Sequence, residues 1–209
     1  KITIEGPAAT PFLQFLIAND INRLRAGLSC YTPLCTMEGG IVDDVFVYKR
    51  DDHNYFMIVN AANREKDFSW MRHHAEQYDV SIKNNSEQTG ILAVQGPKSV
   101  TIIKKAFSID LADIPFHAFR ELDREGSAVV ISRTGYTGEI GCEVYMDIES
   151  VGACAQKLLA VGEAEGLTLI GFGARDTLRL EARCLLYGHD ITEQTTPFEA
   201  GIGWTVKFE

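Results

Sequence analysis

The sequence predicts an α+β fold with largely antiparallel sheets and packed helices. Two observations carry this expectation. Segments that alternate apolar and polar residues with period two are interspersed with segments of helical period. The two kinds follow one another irregularly, with hairpins mixed among crossovers, which disfavours a doubly wound parallel sheet. Size agrees, because 209 residues of which 45% are hydrophobic suffice to bury one sizeable core or two small ones.

Taken in order, Lys1 to Glu5 alternates as a strand and Gly6-Pro7 breaks it. Thr10-Pro11 then predicts a helix with Thr10 as N-cap and Pro11 at its first position, running to about Asn19 with Phe12, Leu13, Phe15, Leu16 and Ile17 as a broad apolar face. Tyr31 to Met37 reads as a strand, Glu38-Gly39-Gly40 as a tight turn, and Gly39 to Tyr48 as its hairpin partner. Tyr55 to Val59 is another strand. From Asn60 the period changes at once, since Ala61, Phe68, Met71, Ala75 and Tyr78 fall at helical intervals with Trp70 on the flank.

Val80 to Lys83 and Ile91 to Val94 are short strands, and Gln95-Gly96-Pro97 opens a helix through Ile102, Ile103 and Phe107. Val129 to Ser132 and Cys142 to Met146 flank a glycine-rich segment from Thr134 to Gly141. Ile148, Val151, Ala155, Leu158 and Leu159 mark an amphipathic helix, and a last helix spans roughly Gly173 to Leu185. No strict sequence repeat is visible, although strand, strand, helix, strand occurs twice in outline. The chain begins at Lys1 with a strand under way and stops at Phe208-Glu209 in mid-pattern, so it reads as a piece of a longer protein.

Composition excludes several classes. A net charge of −9 disfavours a broad nucleic-acid surface, which needs clustered Lys and Arg. No apolar run approaches the ~18 residues of a membrane span, and the N-terminus lacks the regions of a signal peptide. Cys30, Cys35, Cys142, Cys154 and Cys184 are odd in number and contain no Cys-x-x-Cys pair, so neither a disulfide framework nor a zinc site is indicated. A reducing cytoplasm or organelle matrix fits. His53, His73, His74, His117 and His189 show no metal-ligand spacing.

Four features carry chemistry. In the strand Gly39 to Tyr48, alternation puts Ile41, Asp43, Val45 and Val47 on one face and Val42, Asp44, Phe46 and Tyr48 on the other, so each face holds one acid among apolar neighbours. Such an acid needs donors, a cation or a ligand beside it, unless it sits at a rim or caps a turn. Gly135, Gly138 and Gly141 make Gly-x-x-Gly-x-x-Gly, which is not a dinucleotide fingerprint, and no Walker motif occurs. Glu143, in the apolar strand that follows, either pairs with an arginine or offers two acceptor oxygens to a flat donor pair. Arg175, Arg179 and Arg183 recur every fourth residue along one stripe, which is either a solvated face laced with Asp176 and Glu181 or, at Arg175 in the first turn, a cation within reach of a ligand at the preceding loop. Tyr31 and Tyr136 either stack on a flat ring or belong to the core.

Together these segments resemble the aminomethyltransferase family, the T-protein of the glycine cleavage system. The likeness rests on Gly-Gly-Ile-Val-Asp-Asp within Tyr31 to Val47, on Val59 to Asp67, Val94-Gln95-Gly96-Pro97, Arg133 to Glu143, Gly173 to Glu181 and Leu186-Tyr187-Gly188-His189-Asp190, in the family's order across nearly the whole chain. The resemblance implies two interleaved ferredoxin-like halves forming the folate-binding region over residues 1–209, without the family's N-terminal segment and C-terminal barrel. It implies an enzyme that uses tetrahydrofolate as co-substrate, without a metal. This enzyme takes an aminomethyl group from the dihydrolipoyl arm of a lipoylated H-protein, releases ammonia and forms methylene-tetrahydrofolate.

Carried over by motif, Asp43 lies near the reacting folate nitrogen as the catalytic residue, and Glu143 binds the pterin edge. Asn60, Tyr136, Arg175 and Tyr31 match further folate contacts. The location implied is the cytoplasm, or the mitochondrial matrix in a eukaryote. Arg183 stands where many members have Gly. The alternative is a related folate-dependent demethylase, or the folate domain of a sarcosine or dimethylglycine dehydrogenase-type enzyme. A non-enzymatic module of iron–sulfur cluster maturation would carry a Lys-Gly-Cys motif, which this sequence lacks.

Overall fold

A computed structural model describes residues 1–124 and 127–208; Glu209, the last residue of the terminal Phe208-Glu209 pattern, lies outside them. The chain divides into two compact units. Unit 1 is Lys1–Ser86 with Leu186–Glu209, and unit 2 is Glu87–Leu185. The first is therefore interrupted in sequence by the second.

Unit 1 starts with β1 (Ile2–Glu5), α1 (Ala9–Leu16), β2 (Ser29–Cys35), β3 (Ile41–Lys49), β4 (Asn54–Ile58), α2 (Arg64–Ala75) and β5 (Ser81–Asn84). Its five strands lie in the order β2-β3-β4-β1-β5, each pair antiparallel. One face of the sheet and the apolar sides of α1 and α2 enclose a core of Ile2, Ile4, Phe12, Leu13, Ile21, Leu34, Val42, Val45, Val47, Tyr55, Met57 and Met71. The returning segment 186–208 closes on the start of β3. The Ile41 N–H donates to the Thr195 carbonyl at 3.0 Å, and the Tyr187 hydroxyl donates to the Ile41 carbonyl at 3.1 Å.

Unit 2 contains β6 (Thr89–Gln95), α3 (Ser99–Phe107), β7 (Phe119–Arg124), β8 (Ser127–Ser132), β9 (Gly141–Asp147), α4 (Val151–Gly162) and α5 (Phe172–Glu181). Its sheet runs β6-β9-β8-β7, again antiparallel throughout. Val94, Ile102, Ile103, Leu111, Ile131, Val144 and Leu158 are buried. Setting β1-α1-β2-β3-β4-α2 beside β6-α3-β7-β8-β9-α4 shows one topology used twice, with unit 1 adding β5 at an edge.

Several expectations shift at element ends. Thr10 is not the N-cap: α1 begins one residue earlier, and the Thr10 hydroxyl bonds the Asp52 carbonyl at 2.8 Å and the Tyr55 hydroxyl at 2.6 Å. The helix stops at Leu16 rather than near Asn19, because Ile17 turns extended and bridges Leu34. Phe15, expected on the buried face, is half exposed. Gln95-Gly96-Pro97 precedes the helix that it was expected to open, since α3 starts at Ser99 after Lys98. No strand was foreseen at β7.

Two departures bear on the site. Leu34 pairs with Asp43 but Cys35 with Ile41, so Val42 is an extra residue in β3. This bulge moves Val42 into the core with Val45 and Val47 and breaks the strict alternation. The helix expected from Asn60 begins only at Arg64, after a turn in which the Asn63 N–H donates to the Asn60 carbonyl at 3.0 Å.

Candidate functional site

In unit 1 that turn aims two amide side chains at the acids of β3. Asn60 donates its backbone N–H to Asp43 Oδ2 at 3.0 Å and its side-chain amide to Asp43 Oδ1 at 2.9 Å. The Asn63 amide donates to Asp43 Oδ1 at 2.6 Å. Asn63 occupies the N-cap position of α2 without capping it, because its side chain is committed to Asp43. Three N–H donors thus organise a carboxylate with 0% exposure.

Asp44 is the partly exposed neighbour. Tyr31 donates its hydroxyl to Asp44 Oδ2 at 2.9 Å, and the Asn60 amide donates to Asp44 Oδ1 at 2.9 Å, so one amide joins both acids. Burial is the main cause raising the Asp44 carboxyl to about 6; the Tyr31 bond works against it, and the charge of Asp43 adds to it. Beside Asp44 lies an aromatic surface in which the Tyr31 ring centroid is 5.5 Å from Phe46 and 6.2 Å from Trp204. Of the predicted residues, the structure therefore brings Tyr31, Asp43 and Asn60 together.

Asp67 was missed. It lies on α2 with its side chain wholly buried, one helical turn before Met71. The available signal was its place in the apolar stripe, four residues before Met71, where a carboxylate has no water to ionise against. Burial first, then the hydrogen bond to Asp43 and its charge, push Asp67 up to about 9. Lys66, next to it, instead ties segments together: its ammonium donates to the Val42 carbonyl at 2.6 Å and to the Tyr187 hydroxyl at 2.9 Å.

In unit 2, Glu143 sits on β9 without an arginine partner among the described residues. Two hydroxyls hold one of its oxygens: Thr134 donates to Oε2 at 2.5 Å and Tyr145 at 2.8 Å. Oε1 accepts no hydrogen bond among the described residues. The glycines of the preceding loop permit close approach rather than phosphate binding. A Cβ on Gly135 would lie 2.1 Å from Gln95 Oε1, and one on Gly141 2.5 Å from the Val94 carbonyl oxygen. The Gln95 amide donates to the Cys142 carbonyl at 3.0 Å and to the Thr134 carbonyl at 3.3 Å, fixing the loop beside Glu143.

The Tyr136 hydroxyl donates to the Leu185 carbonyl, and the Arg175 guanidinium lies 4.4 Å from the centroid of its ring. Tyr136 and Arg175 therefore form one patch, with Arg175 exposed. The arginine stripe is divided in role. Arg179 is 5% exposed and pairs with Asp176 at 2.8 Å, while Arg183 lies beyond the end of α5 with φ of 59°.

Burial raises the Cys30 and Cys142 thiols to about 12, which disfavours thiolate chemistry there. A hollow of about 240 Å³ in unit 1, lined by Phe15, Met37, Trp70 and His74 among others, contains none of the candidate residues. No described helix is long and apolar enough to cross a membrane.

Fold and site define an α+β domain of duplicated antiparallel sheets carrying preorganised carboxylates. The chain belongs to the family described as GCVT N-terminal domain, whose sequence model matches residues 1–209. It is 46% identical over its whole length to the aminomethyltransferase of Halothermothrix orenii, of which it covers 58%, and 43% identical to that of Desulfitobacterium hafniense strain Y51, of which it covers 57%. The chain thus spans little more than half the length of these curated relatives.

Among solved structures, 99% of the chain matches 55% of the glycine cleavage system aminomethyltransferase T from Bartonella henselae, with a TM-score of 0.91 and 32% identity. A heterotetrameric sarcosine oxidase from Corynebacterium shares the fold alone, at 13% identity and a TM-score of 0.58, over 81% of this chain and 82% of that one.

Proposed function

We propose that this chain is the folate-handling part of a tetrahydrofolate-dependent aminomethyltransferase of the glycine cleavage system, acting in a reducing cytoplasm. The whole enzyme takes an aminomethyl group from the dihydrolipoyl arm of lipoylated H-protein, releases ammonia and forms methylene-tetrahydrofolate. One observation carries the reading: Asp44 is a partly exposed carboxylate held by Tyr31 and Asn60 beside an aromatic surface. A folate nitrogen attacks the aminomethyl carbon as ammonia leaves, and positive charge develops on an iminium-like carbon. A fixed carboxylate stabilises that charge, so positioning and electrostatics supply most of the catalysis.

This reading moves the reacting-end role from Asp43 to Asp44. Asp43 has no exposed surface and already accepts three N–H bonds, so its part is to hold Asn60, and through Asn60 to hold Asp44. Glu143 serves recognition. Thr134 and Tyr145 occupy Oε2, and Oε1, which accepts no bond among the described residues, suits the N–H donors of the pterin edge. Tyr136 and Arg175 contribute a ring and a cation for the rest of the folate.

The test uses the full-length protein, measuring tetrahydrofolate binding and turnover separately. Glu143→Ala is expected to weaken binding about tenfold or more, the loss of charge-assisted hydrogen bonds. Asp44→Asn is expected to lower turnover about 100-fold with a smaller change in affinity. Wild-type turnover falls as pH drops through about 6, where Asp44 takes up a proton. Wild-type affinity in the first variant together with wild-type turnover in the second removes the assignment.

A further inference from the structure

Beneath the acids of β3 lies a group that the proposed chemistry does not use. Asp67 projects from α2 on the side that carries Met71, and its side chain is wholly buried. Among the described residues neither Asp67 oxygen meets an N–H or O–H donor. Of the charged groups around it, the carboxyl group of Asp43 acts on it most strongly. Two neighbouring carboxylates away from water oppose each other's ionisation, and the one without donors is the one that takes the proton.

The surroundings decide which. Asp43 accepts three N–H bonds, from Asn60 twice and from Asn63 once, so both of its oxygens already serve as acceptors. Asp67 has no such donor, and burial penalises its charge. The charged groups acting on Asp67 are Asp43 and Asp44 from β3, which oppose its ionisation, and Lys66 from α2, which favours it. Two anions and the loss of water outweigh one ammonium that is bonded to Val42 and Tyr187 and paired with Glu193 at 3.6 Å.

We infer that Asp67 is a protonated positioning residue: its O–H donates to Asp43, which grips Asn60, which in turn orients Asp44 toward the ligand. The chain of bonds runs Asp67, Asp43, Asn60, Asp44, with Tyr31 closing it from the other side. Asp67 touches no reactant. Its O–H holds the Asp43 carboxyl group in place, and loss of that proton removes the bond and loosens the assembly. The role of Asp67 deepens the reading of Asp44 as the reacting-end acid, whereas the protonation itself holds whatever the ligand is.

The protonation is measured on the full-length wild-type protein without folate, by carboxyl-carbon NMR of aspartate-labelled material across a pH titration. One aspartate is expected to remain protonated at about pH 7, far above the ordinary aspartate range, and its signal disappears in Asp67→Asn. If every aspartate titrates in the ordinary range, the inference fails, even where no variant folds. Function is read from Asp67→Asn and Asp67→Leu. Asn keeps an N–H donor toward Asp43 and Leu does not, so Leu is expected to lower kcat about tenfold further than Asn with little change in KM for tetrahydrofolate.

The wild-type decline of kcat on the alkaline side, where Asp67 ionises, is expected to be absent in Asp67→Asn. Equal kcat for the two variants, or an alkaline limb retained in Asp67→Asn, overturns the positioning role. A protein that shows the protonated aspartate but does not bind tetrahydrofolate refutes the folate reading and leaves the protonation standing.

Discussion

The two units use one topology and differ in where polar groups enter it. Ile4-Glu5-Gly6-Pro7 ends β1 as Val94-Gln95-Gly96-Pro97 ends β6, and α1 and α3 follow at the same distance. After each helix an aspartate, Asp20 or Asp110, accepts from the backbone N–H two residues on, and the next residue, Ile21 or Leu111, is buried. Strand registers extend the match. Thr3 faces Phe56 where Ala93 faces Glu143, and Tyr48 faces Phe56 where Ser132 faces Glu143. The stacked pair Tyr48 and Phe56, centroids 4.4 Å apart at 9°, thus occupies positions that in unit 2 hold Ser132 and the carboxylate of Glu143. The scaffold tolerates either chemistry, so site residues are set by local donors and not by the topology.

The sharpest way to break this comparison is to truncate the equivalent positions. Phe56→Ala removes a fully buried stacked ring and is expected to cost about 3 to 5 kcal/mol of stability in a denaturation titration. Glu143→Ala removes a partly exposed carboxylate held by two hydroxyls. It should cost about 1 kcal/mol, its main effect being on ligand affinity. Similar losses of stability in the two variants would show that the faces are not chemically distinct.

A second pair tests the glycines that end β1 and β6. Both have positive φ, 142° at Gly6 and 113° at Gly96. Their N–H groups make equivalent bonds, to the His53 carbonyl at 2.9 Å and the Ile140 carbonyl at 2.7 Å. A Cβ on Gly6 would lie 2.5 Å from the Asp79 carbonyl oxygen, whereas one on Gly96 meets nothing within 4 Å. Gly6→Ala adds a backbone clash to the shared strain and should cost about 3 kcal/mol, against about 1 kcal/mol for Gly96→Ala. Equal costs would mean that strain alone decides both.

Much of the fold was legible because local rules act within each element. Period-two alternation located most of the strands, and proline and glycine marked where they end. What could not be read were effects of tertiary pairing. Nothing near Val42 announces a bulge, and although the burial of Asp43 and Asp44 alternates as read, the pattern gives no sign that one amide, Asn60, reaches both. The Asn60 to Asn63 turn looked like the start of a helix because its purpose, aiming two amides at Asp43, depends on a strand distant in sequence. Asp67 was hidden by the habit of reading a charge on a helix as solvated.

The most strongly shifted carboxyl groups of the two units answer pH in opposite directions. Asp44 and Asp67 in unit 1 are raised by burial, to about 6 and about 9. Their folded forms bind protons more tightly than the unfolded chain, so unit 1 loses stability as pH rises through these values. In unit 2, Glu165 is lowered to about 2 by Lys105 and Lys98, and Asp110 is lowered by Lys104. These surface contributions are present above the unfolded carboxylate range, are lost as pH falls toward about 2, and are small because solvent screens them. Hydrogen exchange corrected for intrinsic rates should show protection in unit 1 falling between about pH 5 and pH 9 while unit 2 changes little. A parallel fall in both units contradicts the assignment.

The smallest effect concerns the end of α5, for which unit 1 has no counterpart. The Arg183 N–H donates to the Leu180 carbonyl at 3.0 Å and the Cys184 N–H to the Arg179 carbonyl at 2.8 Å. This paired pattern closes a helix through a left-handed residue, and that residue is Arg183, at φ of 59°. Position 183 is therefore one where the backbone geometry favours Gly. Arg183→Gly relieves about 1 kcal/mol of left-handed strain and gives back part of it in unfolded-state entropy, for a net gain of about 0.5 kcal/mol. Arg183→Ala removes the same charge and length but keeps a Cβ, so it should show no gain. If Ala stabilises as much as Gly, the side chain and not the backbone was at fault, and the helix-end explanation is wrong.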